Sequence, residues 1–84
     1  MPNIVVYATD YCPYCWRARA LLDRKGAGYT ILNVNRDPLL WDEIARRTGR
    51  DTVPQIFIGD RHVGGCDDLY ALERRGELDP LLKD

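Results

Sequence analysis

Long apolar runs, an excess of either charge, and cysteine are all scarce in this 84-residue chain. Its apolar stretches are strand-sized, which gives no membrane span, and Met1-Pro2-Asn3-Ile4 lacks the basic and apolar segments of a secretory leader. A cytoplasmic protein off the membrane is the expectation. The 12 basic residues nearly balance the 13 acidic ones, so no global field steers nucleic acid or an anionic bilayer. The cysteine count of 3 is odd and too low for a disulfide framework. What is present, 45% hydrophobic residues and no repeats or low-complexity segments, suits one folded domain over residues 1–84. A monomer is expected.

Periodicity orders the elements. Asn3 to Thr9 is β-branched and aromatic, a buried strand. After Pro13 the period changes: Ala18, Leu21, Leu22 and Lys25 share a helical face, and Gly26 offers a stop. Tyr29 to Val34 is a second strand. Asp37-Pro38 opens a second helix with Leu40, Ile44 and Ala45 inward, closed by Gly49. Gln55 to Gly59 and the RHVGG stretch are strands joined by a tight Gly59-Asp60 turn. A last helix follows from Asp67 or Asp68, with Leu69, Leu72 and Glu73 on its face; Gly76 interrupts it and Pro80 starts a final turn.

The β-α-β-α-β-β-α order implies a parallel βαβ unit followed by a hairpin and a covering helix, hence a four-stranded mixed α/β sheet with helices on both faces. It sets Cys12 at the carboxyl end of a central strand, where ligands approach open α/β sheets.

Cys12-Pro13-Tyr14-Cys15 is the chemical centre of the sequence. With Pro13 as first helical residue, Cys12 falls at the N-cap and Cys15 one turn deeper on the same side. The unpaired amides of the first turn then favour a thiolate at Cys12, the species that attacks disulfides. Cys12 is thus the nucleophile and Cys15 the resolving thiol. A zinc site would need His62 and Cys66 as its further ligands, and His-x-x-x-Cys is unlike a finger or ribbon. A structural pair is the other alternative; the strand-then-helix context favours redox chemistry. Thr52-Val53-Pro54 sits just before the third strand, where Pro suits a strand entry, and composition alone predicts a trans bond.

Taken together, YCPYC, TVPQIFIG and GGCDDLYAL resemble the glutaredoxin family, specifically its dithiol members with Cys-Pro-Tyr-Cys, and most closely the small bacterial ones. The resemblance covers essentially the whole chain. It implies a thioredoxin fold and a cis bond at Pro54, facing the cysteines. It also implies glutathione as co-substrate, no resident metal, and a binding groove made by Tyr14, Thr52, Val53, Pro54, Gly65, Cys66, Asp67 and Asp68. The Val53 main chain would pair with the cysteinyl unit as in strand addition, and the helix start near Cys66 would receive the γ-glutamyl carboxylate. Asp67, with Asp68 as a second candidate, would answer its ammonium. The implied substrates are glutathionylated or disulfide-containing proteins, ribonucleotide reductase among the family's partners. Electrons would arrive from NADPH through glutathione reductase.

Two basic donors usual in the family are absent, with Ala8 and Trp41 at the corresponding places; Arg17, Arg36 and Arg50 are candidates to compensate, each reading first as a solvated charge. Cys66 reads as packing before regulation, His62 as an exposed hairpin residue, and Trp16 and Trp41 as packing or rim residues. Two rival functions fit other glutaredoxin-like chains: a [2Fe–2S] module, which Pro13 disfavours by stiffening the loop, and a protein reduced by thioredoxin reductase.

Overall fold

Alternation in Ile4-Val5-Val6-Tyr7-Ala8 decides the layers. Period two sends Ile4, Val6 and Ala8 to one face of the sheet and Val5 and Tyr7 to the other. The structure is a computed structural model describing residues 2–83. Its elements are β1 (Ile4–Ala8), α1 (Pro13–Arg24), β2 (Thr30–Asn33), α2 (Leu39–Thr48), β3 (Gln55–Ile58), β4 (Arg61–Gly64), α3 (Cys66–Arg74) and α4 (Leu78–Leu82). The strands lie in the order β2-β1-β3-β4. β1 pairs parallel with β2 and antiparallel with β3, and β3 pairs antiparallel with β4. This is the mixed sheet with helices on both faces that the element order predicts.

One core joins Ile4, Val6, Ile56 and Ile58 of the sheet to Ala18, Leu21 and Leu22 of α1, Leu69 and Leu72 of α3, and Leu78 and Leu82 of α4. The other is smaller: Tyr7, Val34 and Phe57 against Ile44 of α2. Each such aliphatic side chain, fully buried, contributes roughly 1.5–3 kcal/mol. β1 is therefore sandwiched, and its carboxyl end delivers the chain to Cys12 between fixed layers.

Several expectations change in detail. Ala45 is exposed; only Ile44 of α2 is fully buried, because the smaller core needs a narrow apolar stripe. The final turn is a short helix starting at Leu78, with Pro80 inside its first turn, where a missing N–H costs nothing. Lys25 is the C-cap of α1, and its Nζ reaches Glu73 at 2.8 Å and Asp79 at 2.9 Å, linking the end of α1 to α3 and α4. Glu73 therefore sets its face by charge and not by burial.

Candidate functional site

Cys12 caps α1 in extended conformation, with Pro13 directly after it. Its Sγ accepts from the Cys15 N–H at 3.3 Å, so the side chain satisfies one of the orphan amides of the first turn. The Cys12 thiol also lies 3.7 Å from the Val53 carbonyl, donating to it. Cys15 sits one turn deeper, 1% exposed and in the core. Burial pushes its thiol up to about 12, and its hydrogen bond with Cys12 adds to the rise. The two sulfurs differ in kind: Cys12 is half-buried and accepts from the Cys15 amide, whereas Cys15 is dry.

The Val53–Pro54 bond is cis, against the preference read from composition. Pro54 is buried beside the site, and tertiary packing overrides the modest trans preference of an Xaa-Pro bond. No hydrogen bond to the Val53 N–H is found among the described residues. Val53 is thus a main-chain edge lying next to a sulfur.

A groove of about 190 Å³ opens beside this edge. One wall carries Tyr14 and the Thr52-Val53-Pro54 loop, and the other carries Gly65, Cys66, Asp67 and Asp68 at the start of α3. Every residue assigned to glutathione binding by resemblance therefore lines the same depression. Close approach is built into the far wall. Gly64 has φ +115°, and an added Cβ there would run into the Asp68 carboxylate; a Cβ on Gly65 would meet the Pro54 carbonyl at 3.4 Å.

Asp67 and Asp68, adjacent in sequence, have different surroundings. Asp67 is exposed. Asp68 Oδ2 accepts from the N-cap Gly65 N–H at 2.9 Å, reaching back from the first turn of α3, and from Arg50 Nη1 at 3.1 Å. The Gly65 N–H, and then Arg50, hold the Asp68 carboxyl below the usual carboxylate range. Asp68 is thus already committed to two donors, which leaves Asp67 as the carboxylate facing the groove without that engagement.

Arg50, which the sequence reads first as a solvated charge, joins the lining, and Gln55, 0% exposed, lies beneath it. Arg50 reaches the groove because Asp68, 18 positions away, holds its guanidinium there; that separation carries no local signal. Arg17 instead lies with its guanidinium 5.5 Å from the Tyr70 ring centre, and Arg36 is an exposed turn residue outside the lining. Ala8 is 2% exposed in the larger core, so a basic side chain at that position would enter the core and not the groove. Trp41 packs on the smaller core, and Trp16 is a rim residue held by a hydrogen bond to the Asp10 carbonyl. Cys66 is a buried core member whose thiol burial pushes up, in keeping with packing.

His62 differs from expectation. It is half-buried, its Nε2 is 2.7 Å from Gln55 Oε1, and its ring lies 5.0 Å from Phe57. His62 pairs with Phe57 in the regular part of the hairpin, so its side chain shares the face on which Phe57 packs into the smaller core; the register shifts only beyond it, where Ile56 pairs with Gly64.

Comparison with known proteins supplies the context for this geometry. Residues 4–63 match the family model described as glutaredoxin. A glutaredoxin of Pseudomonas aeruginosa is 56% identical over 82 residues, 98% of each chain. Glutaredoxin 3 of Escherichia coli is 53% identical over 83 residues, 99% of this chain and all (100%) of the other. The crystal structure of a buckwheat glutaredoxin–glutathione complex superposes with a TM-score of 0.91 at 36% identity, covering 96% of this chain and 76% of that one. With its thioredoxin-like sheet and its Cys-x-x-Cys turn, the chain belongs to the glutaredoxin family of thiol-disulfide oxidoreductases.

Proposed function

We propose that the protein reduces glutathionylated proteins and protein disulfides with glutathione as its electron donor, through Cys12 and Cys15. The single observation that carries this reading is the meeting of the Cys12 sulfur with the Val53 main chain at the head of the groove. A tripeptide laid antiparallel to Val53 would exchange main-chain hydrogen bonds there and bring its sulfur to Cys12. Its γ-glutamyl carboxylate would reach the amides opening α3, and its ammonium would meet Asp67.

The Cys12 thiolate attacks the glutathione sulfur of a protein–glutathione disulfide; a Cys12–glutathione disulfide forms, and the protein thiolate leaves and takes up a proton. A second glutathione thiolate then attacks the enzyme-bound glutathione sulfur, releasing glutathione disulfide and restoring Cys12. With a protein disulfide, the Cys12 thiolate attacks one sulfur; a mixed disulfide forms, and the other protein sulfur leaves as a thiolate and takes up a proton. Cys15 loses its proton and displaces the protein sulfur bound to Cys12, closing the Cys12–Cys15 disulfide for two glutathiones to reduce. Loss of the thiol proton ends the donation from Cys12 to the Val53 carbonyl, while the Cys15 N–H still faces the sulfur.

The test is a comparison of reductants. The oxidised protein is expected to accept electrons from glutathione, glutathione reductase and NADPH faster than from thioredoxin reductase and NADPH. The reverse preference would contradict the proposal. The cellular setting proposed is the cytoplasm; among the described residues, no helix is long and apolar enough to cross a membrane.

A further inference from the structure

Gln55 is a fully buried polar side chain, 0% exposed, and it lies directly after Pro54. Its Nε2 donates to the Thr52 carbonyl at 3.1 Å and to Thr52 Oγ1 at 3.2 Å. A carbonyl only accepts, so the amino side of the amide must face Thr52 and the oxygen must face His62. His62 Nε2 therefore carries the proton of that 2.7 Å bond. Burial, with Arg50 adding to it, lowers the His62 pKa, so the ring donates as a neutral imidazole at neutral pH. The ring itself is held against Phe57. The result is a chain from β4 through β3 to the loop: His62 orients the Gln55 amide, and the amide ties down Thr52 on the far side of the proline.

The loop needs such a tie. Thr52 and Val53 lie outside the strands, and Thr52 is exposed. The Thr52 carbonyl belongs to the same peptide unit as the Val53 N–H. Because that unit is planar, fixing the carbonyl fixes where the N–H points. Gln55 holds the oxygen inward, which aims the N–H outward at the groove.

We propose that Gln55, oriented by His62, is a positioning residue for glutathione recognition: it sets the direction of the Val53 N–H by holding the other end of its peptide unit. This rests on the glutathione reading above. It adds that selectivity for glutathione is set from beneath the loop by a buried amide.

The test uses a Cys15→Ser background and one peptide made as two mixed disulfides, with glutathione and with cysteamine. The readout is the ratio of the two rates, which a general loss of folded protein does not move. Wild-type residue 55 is expected to give a large preference for the glutathione form. Gln55→Met, which keeps length and volume but removes both donors, is expected to lower that preference about tenfold, the value of about one hydrogen bond. His62→Phe keeps a ring against Phe57 but frees the amide, and is expected to lower it about threefold, part of one hydrogen bond. An unchanged preference in Gln55→Met overturns the proposal. If Gln55→Met does not fold, His62→Phe decides in the same way: a fallen preference supports the proposal and a retained one overturns it. Absence of any preference with glutamine at 55 would instead defeat the glutathione reading itself.

Discussion

Replacing Cys15 by serine is expected to abolish reduction of a protein disulfide while leaving cleavage of a glutathionylated peptide, and replacing Cys12 by serine is expected to abolish both. The size of each loss should be at least about a thousandfold, the scale on which removing a nucleophile acts. The asymmetry follows from where the two sulfurs lie. Cys12 is at the helix cap beside the groove, whereas Cys15 is 1% exposed and its thiol is pushed up to about 12. At neutral pH, Cys15 is a poor first attacker. It becomes useful once a mixed disulfide on Cys12 places an electrophilic sulfur one helical turn away. The Cys15→Ser change also leaves the backbone N–H that contacts Cys12 Sγ in place, so it removes the resolving sulfur without stripping the nucleophile of that donor. Rates of peptide thiol release from the two substrates measure the effect. Equal losses from Cys15→Ser on both substrates would reverse the role assignment.

Arg50→Ala is expected to weaken use of a glutathionylated peptide by about five- to tenfold in kcat/KM. Arg50 is the basic side chain among the residues lining the groove, and glutathione carries two carboxylates. A charge-assisted hydrogen bond to a carboxylate is worth about 1.5–3 kcal/mol when shielded. The Arg50 side chain is 49% exposed, so solvent screening brings the expectation down to about 1 kcal/mol. Two features mark the effect as electrostatic. It should shrink at high salt, where exposed charges are screened within a few ångströms. It should also be smaller for the same peptide carrying cysteamine, which has no carboxylate. A loss that is equal for both mixed disulfides, and insensitive to salt, would show that Arg50 acts through the fold of the loop.

The parts of the site that were legible in the sequence are those made by neighbours in the chain. Cys12, Pro13 and Cys15 fall within one turn, so capping, the proline at N1 and the depth of the second sulfur follow from local rules. That the first strand is buried is legible too, because Ile4 to Ala8 is an unbroken apolar run. What could not be read depends on contacts between distant residues. Arg50 looked like a solvated charge because its partner Asp68 lies 18 positions away. His62 reads as exposed because nothing in the RHVGG stretch marks its pairing with Phe57, whose face packs into the smaller core. Gln55 reads as an ordinary strand-start residue until the hairpin brings His62 to it. Ala45 misled for a different reason: helical spacing places it near Ile44, but the core on that face is too small to cover both.

The most direct measurement is the structure of the Cys15→Ser protein carrying glutathione as a disulfide on Cys12. The account predicts an ordered tripeptide with its cysteinyl main chain hydrogen-bonded to Val53 and its γ-glutamyl carboxylate on the leading amides of α3. A tripeptide extending into solvent, with the Val53 N–H still unpaired and the groove beside Arg50 and Asp67 vacant, would contradict it.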